Sequence, residues 1–101
     1  MSTTMDSTRN VLAEIEGERM LQLLKWGNDH DDEHTIYDWV AILTMYSGNV
    51  AWAAWPNVEI KKVRGELLKV ATIAVAALEA IDRAIVKGTI PGRGEPDPKE
   101  E

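Results

Sequence analysis

The chain has 101 residues, no cysteine, and a formal net charge of −6 with a pI near 4.9. This length allows one domain with one core, the missing thiols exclude disulfides and thiolate metal sites and suit a reducing cytoplasm, and the acidic balance speaks against bulk attraction to nucleic acid or anionic lipid. No cationic segment followed by an apolar run opens the chain, so no secretory signal is expected.

Residues 1–7, MSTTMDS, are polar and are expected to be a disordered N-terminus. Helical periodicity then predicts a first helix over about 8–26, with Leu12, Ile15, Leu23 and Trp26 inward and Glu14, Glu18 and Lys25 outward. Gly27 stands where a left-handed C-cap is wanted. The segment GNDHDDEH, 27–34, reads as a loop carrying four acids and two histidines.

Thr35 followed by Asp38 is a capping-box variant that starts a second helix over about 35–55. Within it begins the run Trp39 to Val58, twenty residues without a charged side chain in a protein whose charged fraction is 28%. A helix that is apolar most of the way round must be covered on most sides, which predicts either a central position in a small bundle or cover from a second copy. Ser47, Gly48 and Asn49 at mid-run and Pro56 at its end argue against a membrane span.

Pro56 cannot continue that helix, and Asn57 is a good N-cap for a third over about 58–87. There Ile60, Val63, Leu67, Val70, Ala74, Ala77, Ile81 and Ala84 follow the spacing of a bundle seam, with Leu68, Ala71, Val75 and Leu78 as a second strip. Two strips imply two neighbours. Gly88 should end the helix, leaving residues 88–101, rich in proline and glycine, as a flexible tail. The expected fold is therefore all-α, a single domain over 8–87 built as a small bundle of three main helices and completed by homo-oligomerisation, dimer or higher.

Three groups of residues invite a chemical reading. Lys61, Lys62 and Arg64 sit in the first turns of the third helix, where the macrodipole already presents positive charge, so an anion should lie close. The candidates are a phosphate held by Lys62, Arg64 or Lys69, or the acidic loop Asp29–Glu33 of the same or a neighbouring chain, with the loop preferred. His30 and His34 among Asp29, Asp31, Asp32 and Glu33 could bind a metal, but such residues are also common at a solvated turn entering a helix, and the second reading is preferred. Trp52 and Trp55 could stack a base or form a hot spot for a partner, against simple core or dimer packing, which is preferred. No nucleophile, base and acid grouping appears, nor a glycine-rich phosphate loop; the GRG of the tail is a linker signal.

The run Glu18-Arg19, Gln22, Lys25-Trp26-Gly27, His30, then Trp39 with Ile42-Leu43, Gly48, Val50-Ala51, and finally Glu66-Leu67, Val70-Ala71 and Leu78 to Asp82 resembles small phage proteins of the MazG-like all-α nucleotide pyrophosphohydrolase group, over about residues 11–85. The resemblance implies acidic clusters on two helices that hold Mg²⁺ against a triphosphate, because a hard cation wants several carboxylate oxygens and positions i, i+3 and i+4 share a helix face. In this chain the first cluster falls on Met45, Tyr46 and Asn49, and the second on Glu66 and Lys69. The acids are largely replaced.

The resemblance thus implies a catalytically degenerate cytoplasmic protein, with no metal cofactor, that binds a phosphate-bearing nucleotide or a host protein, with a role in countering host defence. Tyr46, Asn49, Lys62, Glu66, Lys69 and Trp52 are the expected ligand contacts, and Trp55, Lys61 and Arg64 the interaction surface. The rival expectation is an active Mg²⁺-dependent pyrophosphohydrolase with a rearranged site drawn from Glu14, Glu18, Glu66, Glu79 or Asp82. A structural or assembly component is a third.

Overall fold

Thr35 and Asp38 close the capping box that their spacing predicts: the Thr35 hydroxyl accepts from the Asp38 N–H at 3.1 Å, and the Thr35 N–H donates to the Asp38 carboxylate at 2.9 Å. The structure, a computed structural model, describes residues 4–92, and among these every helix is α: α1 (Thr4–Lys25), α2 (Gly27–Asp32), α3 (Ile36–Ala54) and α4 (Ile60–Lys87). The all-α class is as expected. The helix count is four rather than three, because the segment read as a loop winds into α2.

Local chemistry accounts for that correction. Gly27 takes a positive φ of 79° and ends α1, as a C-cap glycine does. The chain then re-enters the helix with Asp29 in the favourable first turn, and Trp26 stacks on His30 at 4.9 Å between ring centroids. Bonds from the Glu33 N–H to the His30 carbonyl and from the His34 N–H to the Asp31 carbonyl tighten its end.

Two helix starts differ from expectation. The first helix begins at Thr4, so residues 4–7 of the expected disordered N-terminus are helical, while residues 1–3 lie outside the described residues. α4 begins at Ile60, with Glu59 and not Asn57 as its N-cap and no side-chain cap bond. The Glu59 N–H instead donates to the Ala53 carbonyl at 3.1 Å, tying the turn to the end of α3. At the other end the expected glycine stop is present: Gly88 is left-handed, the Thr89 N–H reaches the Ala84 carbonyl and the Gly88 N–H the Ile85 carbonyl, a Schellman arrangement.

The central helix is α4, which corrects the expectation that the uncharged helix could take that place. α3 lies along one side of α4, where Trp39 with Ile42, Leu43 and Tyr46 packs on Ile73, Ala76, Ala77 and Ala80; the small alanines let the backbones approach. α1 lies along the other side. Its ion pairs follow α4 in the same order, Glu14 with Arg64 and Arg19 with Glu79, so the two helices run parallel. α1 and α3 do not touch one another among the described residues. The result is an open layer of helices, with a radius of gyration of 16.1 Å against about 13 Å for a round domain of this length.

Openness explains the burial pattern. Of the positions expected inward on α1, Ile15 and Leu23 are half-buried against α4 while Leu12 and Trp26 are exposed, because there is a neighbour on one side only. The first part of the expected tail is not free of the fold: Thr89, Ile90, Pro91 and Gly92 lie beside His34 and α4 around a hollow of about 140 Å³. A Cβ at Gly92, whose φ is +79°, would come within 2.6 Å of the backbone of His34 and Thr35. Residues 93–101 lie outside the described residues.

Thr35→Ala should cost about 1 kcal/mol, the usual loss for an N-cap, read as a lowered denaturant midpoint. The Asp38 carboxyl is held below its ordinary range by its hydrogen bonds with the Thr35 backbone and hydroxyl. A depressed folded pKa means stability that is fully present above the unfolded value near ~3.9 and lost as pH falls through the lower folded value. Asp38→Asn should therefore flatten the acid limb of the stability curve; an unchanged limb would remove the box from the account.

Candidate functional site

The expected ligand contacts Tyr46 and Asn49 lie on α3 and Glu66 and Lys69 on α4, the two helices that share the core. Tyr46 is half-buried against the core, while Asn49 and Met45 on the same helix are exposed. Neither side chain among Tyr46 and Asn49 hydrogen-bonds with Glu66 or Lys69. Glu66 is half-buried on α4, with one carboxylate oxygen 3.3 Å from Lys69 Nζ and the other, Oε2, buried without a hydrogen-bond partner. Trp52 and Trp55 are 75% and 69% exposed, which overturns the core-packing reading within the chain.

Within the chain, Arg64 and Lys62 of the basic cluster pair with carboxylates other than those of its acidic loop. Arg64 donates two hydrogen bonds to the Glu14 carboxylate, at 3.0 and 2.6 Å, across to α1. The hydrogen bond and charge of Arg64 hold the Glu14 carboxyl below its ordinary range. Lys62 lies 3.9 Å from Glu59. Lys61 is exposed. Glu14 enters from a helix parallel to α4, a placement that sequence proximity to the loop could not suggest.

The acids of 29–34 serve another purpose. Asp31 takes the Arg19 Nη2 at 2.8 Å, and Asp32 takes the Arg83 Nε at 2.8 Å. Arg19 is only 6% exposed and also donates to Glu79 at 2.6 Å and to Gln22 at 3.3 Å. Burial alone would pull the Arg19 pKa down, but the hydrogen bonds and charges of Glu79 and Asp31 outweigh it and hold the guanidinium above its ordinary value. One buried cation thus joins α1, α2 and α4. Sequence reading missed this network, although a signal was present: Arg19 and Glu79 occupy positions in the apolar rows of their helices, where a charge requires a partner.

Above that network runs a row of rings. Lys25 Nζ lies 4.9 Å over Trp26, Trp26 stacks on His30, His30 meets His34 edge-on at 5.0 Å, and His34 meets Trp39 edge-on at 4.8 Å. The histidines are thus ring-packed between tryptophans. Among the described residues no group of three or more histidine or acidic side chains could hold a metal ion.

The residues that the resemblance offers to Mg²⁺ do not fit it. A hard cation needs several carboxylate oxygens, whereas Met45, Tyr46 and Asn49 supply none and Glu66 already has an ammonium beside it. Nucleotide phosphates meet a similar obstacle, since Lys62, Arg64 and Lys69 each lie within ion-pair distance of a carboxylate of the chain. No family model matches the chain, nor does any curated protein or solved structure.

Proposed function

We propose that this chain is a non-catalytic helical module on a pyrophosphohydrolase-like frame that acts by binding protein, with a second copy of itself as its first partner. The observation that carries the reading is the open layer. With α1 and α3 on opposite flanks of α4 and no contact between them, large apolar side chains that a closed bundle would cover stand in water. Exposed apolar surface on this scale marks association. Trp52, Trp55, Val58 and Ile60, all exposed, flank the α3–α4 turn, and tryptophan is a residue type that serves as an anchor in protein interfaces.

The enzymatic alternative has one observation in its favour, the buried and unpartnered Oε2 of Glu66. A lone carboxylate with an adjacent ammonium supplies neither the ligand count nor the charge for a metal-held triphosphate. Incubation with each NTP and dNTP in Mg²⁺ should release no pyrophosphate, millimolar nucleotide should leave the melting temperature unchanged, and native mass spectrometry should report a dimer or higher species. Pyrophosphate release that disappears in Glu66→Gln, or nucleotide stabilisation lost in Lys69→Ala, would replace this reading with the enzymatic or nucleotide-binding one.

A further inference from the structure

α4 carries one line of apolar residues that the flanking helices leave largely open, with α1 reaching only its Leu67–Ala71 edge. At about 100° per residue, Ile60, Leu67, Ala71, Ala74, Leu78 and Ile85 fall within about 30° of a single line along the helix, with Arg64 and Asp82 about 50° from it. Arg64, Leu68, Val75 and Glu79, which meet α1, lie to one side of it, and Ile73, Ala77 and Ala80, which meet α3, to the other. Ile60 is 73% exposed and Leu78 61%, and no charged residue interrupts the line.

The line is also a mirror of itself. About a midpoint between Thr72 and Ile73, Ala71 mirrors Ala74, Leu67 mirrors Leu78 and Ile60 mirrors Ile85. A two-fold axis through that midpoint, perpendicular to two antiparallel helices, would therefore set alanine on alanine at the centre, leucine on leucine beyond and isoleucine on isoleucine at the ends. Self-complementary pairing of this kind is what a two-fold interface requires. The alanines at the centre permit close approach, and leucines and isoleucines fill the flanks.

Charge agrees with the same arrangement. Arg64 and Asp82 lie on one edge of the line, and the mirror of Arg64 is Ile81, the neighbour of Asp82. The second copy's Asp82 would approach the Glu14–Arg64 pair across the seam and share a guanidinium that already holds one carboxylate. Asp82 is exposed and forms no ion pair among the described residues.

Length suffices as well. The 28 residues of α4 make a seam about 42 Å long, and a width of roughly 10–12 Å gives about 450 Å² from this helix alone. Val11 and the Glu14–Arg64 edge of α1 beside it bring the footprint towards the ~800 Å² per partner of a standard interface.

From the open line, its mirror register and its charged edge we infer that a second copy of this chain packs α4 against α4, antiparallel, about an axis between Thr72 and Ile73. The inference rests on the self-association proposed above and adds its surface and register. The absence of cysteine makes the test direct. Ala71→Cys and Ala74→Cys chains, mixed and mildly oxidised, should form a mixed disulfide dimer faster than either chain alone. Leu78→Glu should retain its helical circular dichroism yet raise the dimer dissociation midpoint about tenfold or more in sedimentation, while Met45→Glu on the exposed side of α3 leaves it unchanged.

Preferential linking of Ala74→Cys to itself would indicate parallel helices and overturn the register. A wild-type dimer that Leu78→Glu leaves intact, with no mixed disulfide, would overturn the seam and leave self-association standing. A wild type that is monomeric at every concentration would overturn both.

Discussion

Arg19→Met should lower the stability of the chain by roughly 3 kcal/mol, the low end of the cost of breaking a buried ion pair by removing one partner. Asp31 would be left buried and facing no cation, 2.8 Å from where the guanidinium had been. Glu79 contributes less, because its side chain is partly in water and relaxes into it. Urea denaturation followed by circular dichroism reads the loss, and the triple change Arg19→Met, Asp31→Asn, Glu79→Gln should recover most of it, since replacing all partners with neutral groups removes the uncompensated charge. Arg19→Lys should fall between, because one ammonium cannot hold two carboxylates in the geometry of the guanidinium fork. A loss below about 1 kcal/mol in Arg19→Met would mean that water already reaches Asp31 and that the network does not hold α2 to α1 and α4.

Trp39→Ala should cost about 3–5 kcal/mol, the range for removing a large aromatic side chain from a core. Trp39 is the one buried tryptophan, set against Ile73, Ala76, Ala77 and Ala80 on α4 and against the edge of His34. The alanines opposite cannot grow into the space. Trp39→Phe should cost much less, because it keeps most of the contact area and removes an indole N–H that is buried without an acceptor. The same truncation at Trp52, on the exposed side of α3, should change monomer stability by no more than ~0.5 kcal/mol, as surface substitutions do. Thermal unfolding of the three variants in parallel decides the point: equal losses at Trp39 and Trp52 would mean that the core is not where the structure places it.

Much of the backbone was legible from short-range chemistry. The Thr35 and Asp38 box, the stop at Pro56, the left-handed Gly27 and Gly88, and the long apolar period of α4 each depend on residues within one or two helical turns. α2 was missed because six residues dense in acids carry no apolar period, and what holds it is a stack with Trp26 and a bond from Arg19, twelve positions away. The expected site fared differently from the expected helices. Its residues were gathered by resemblance and by charge, and the carboxylates that answer Arg64 and Arg19 come from α1, from α2 and from the far end of α4.

Amino-acid order alone therefore determined the all-α class, most of the caps and which faces of the helices are apolar, because hydrogen bonding and hydrophobic period act over a turn or two of chain. Only the tertiary structure decided that α4 and not α3 is central, that Arg19 is buried, and that one line of α4 is left open. Apolar faces on α1, α3 and α4 compete for the same neighbours, and the choice among them is made by which faces fit together in space, a comparison that no single helix contains.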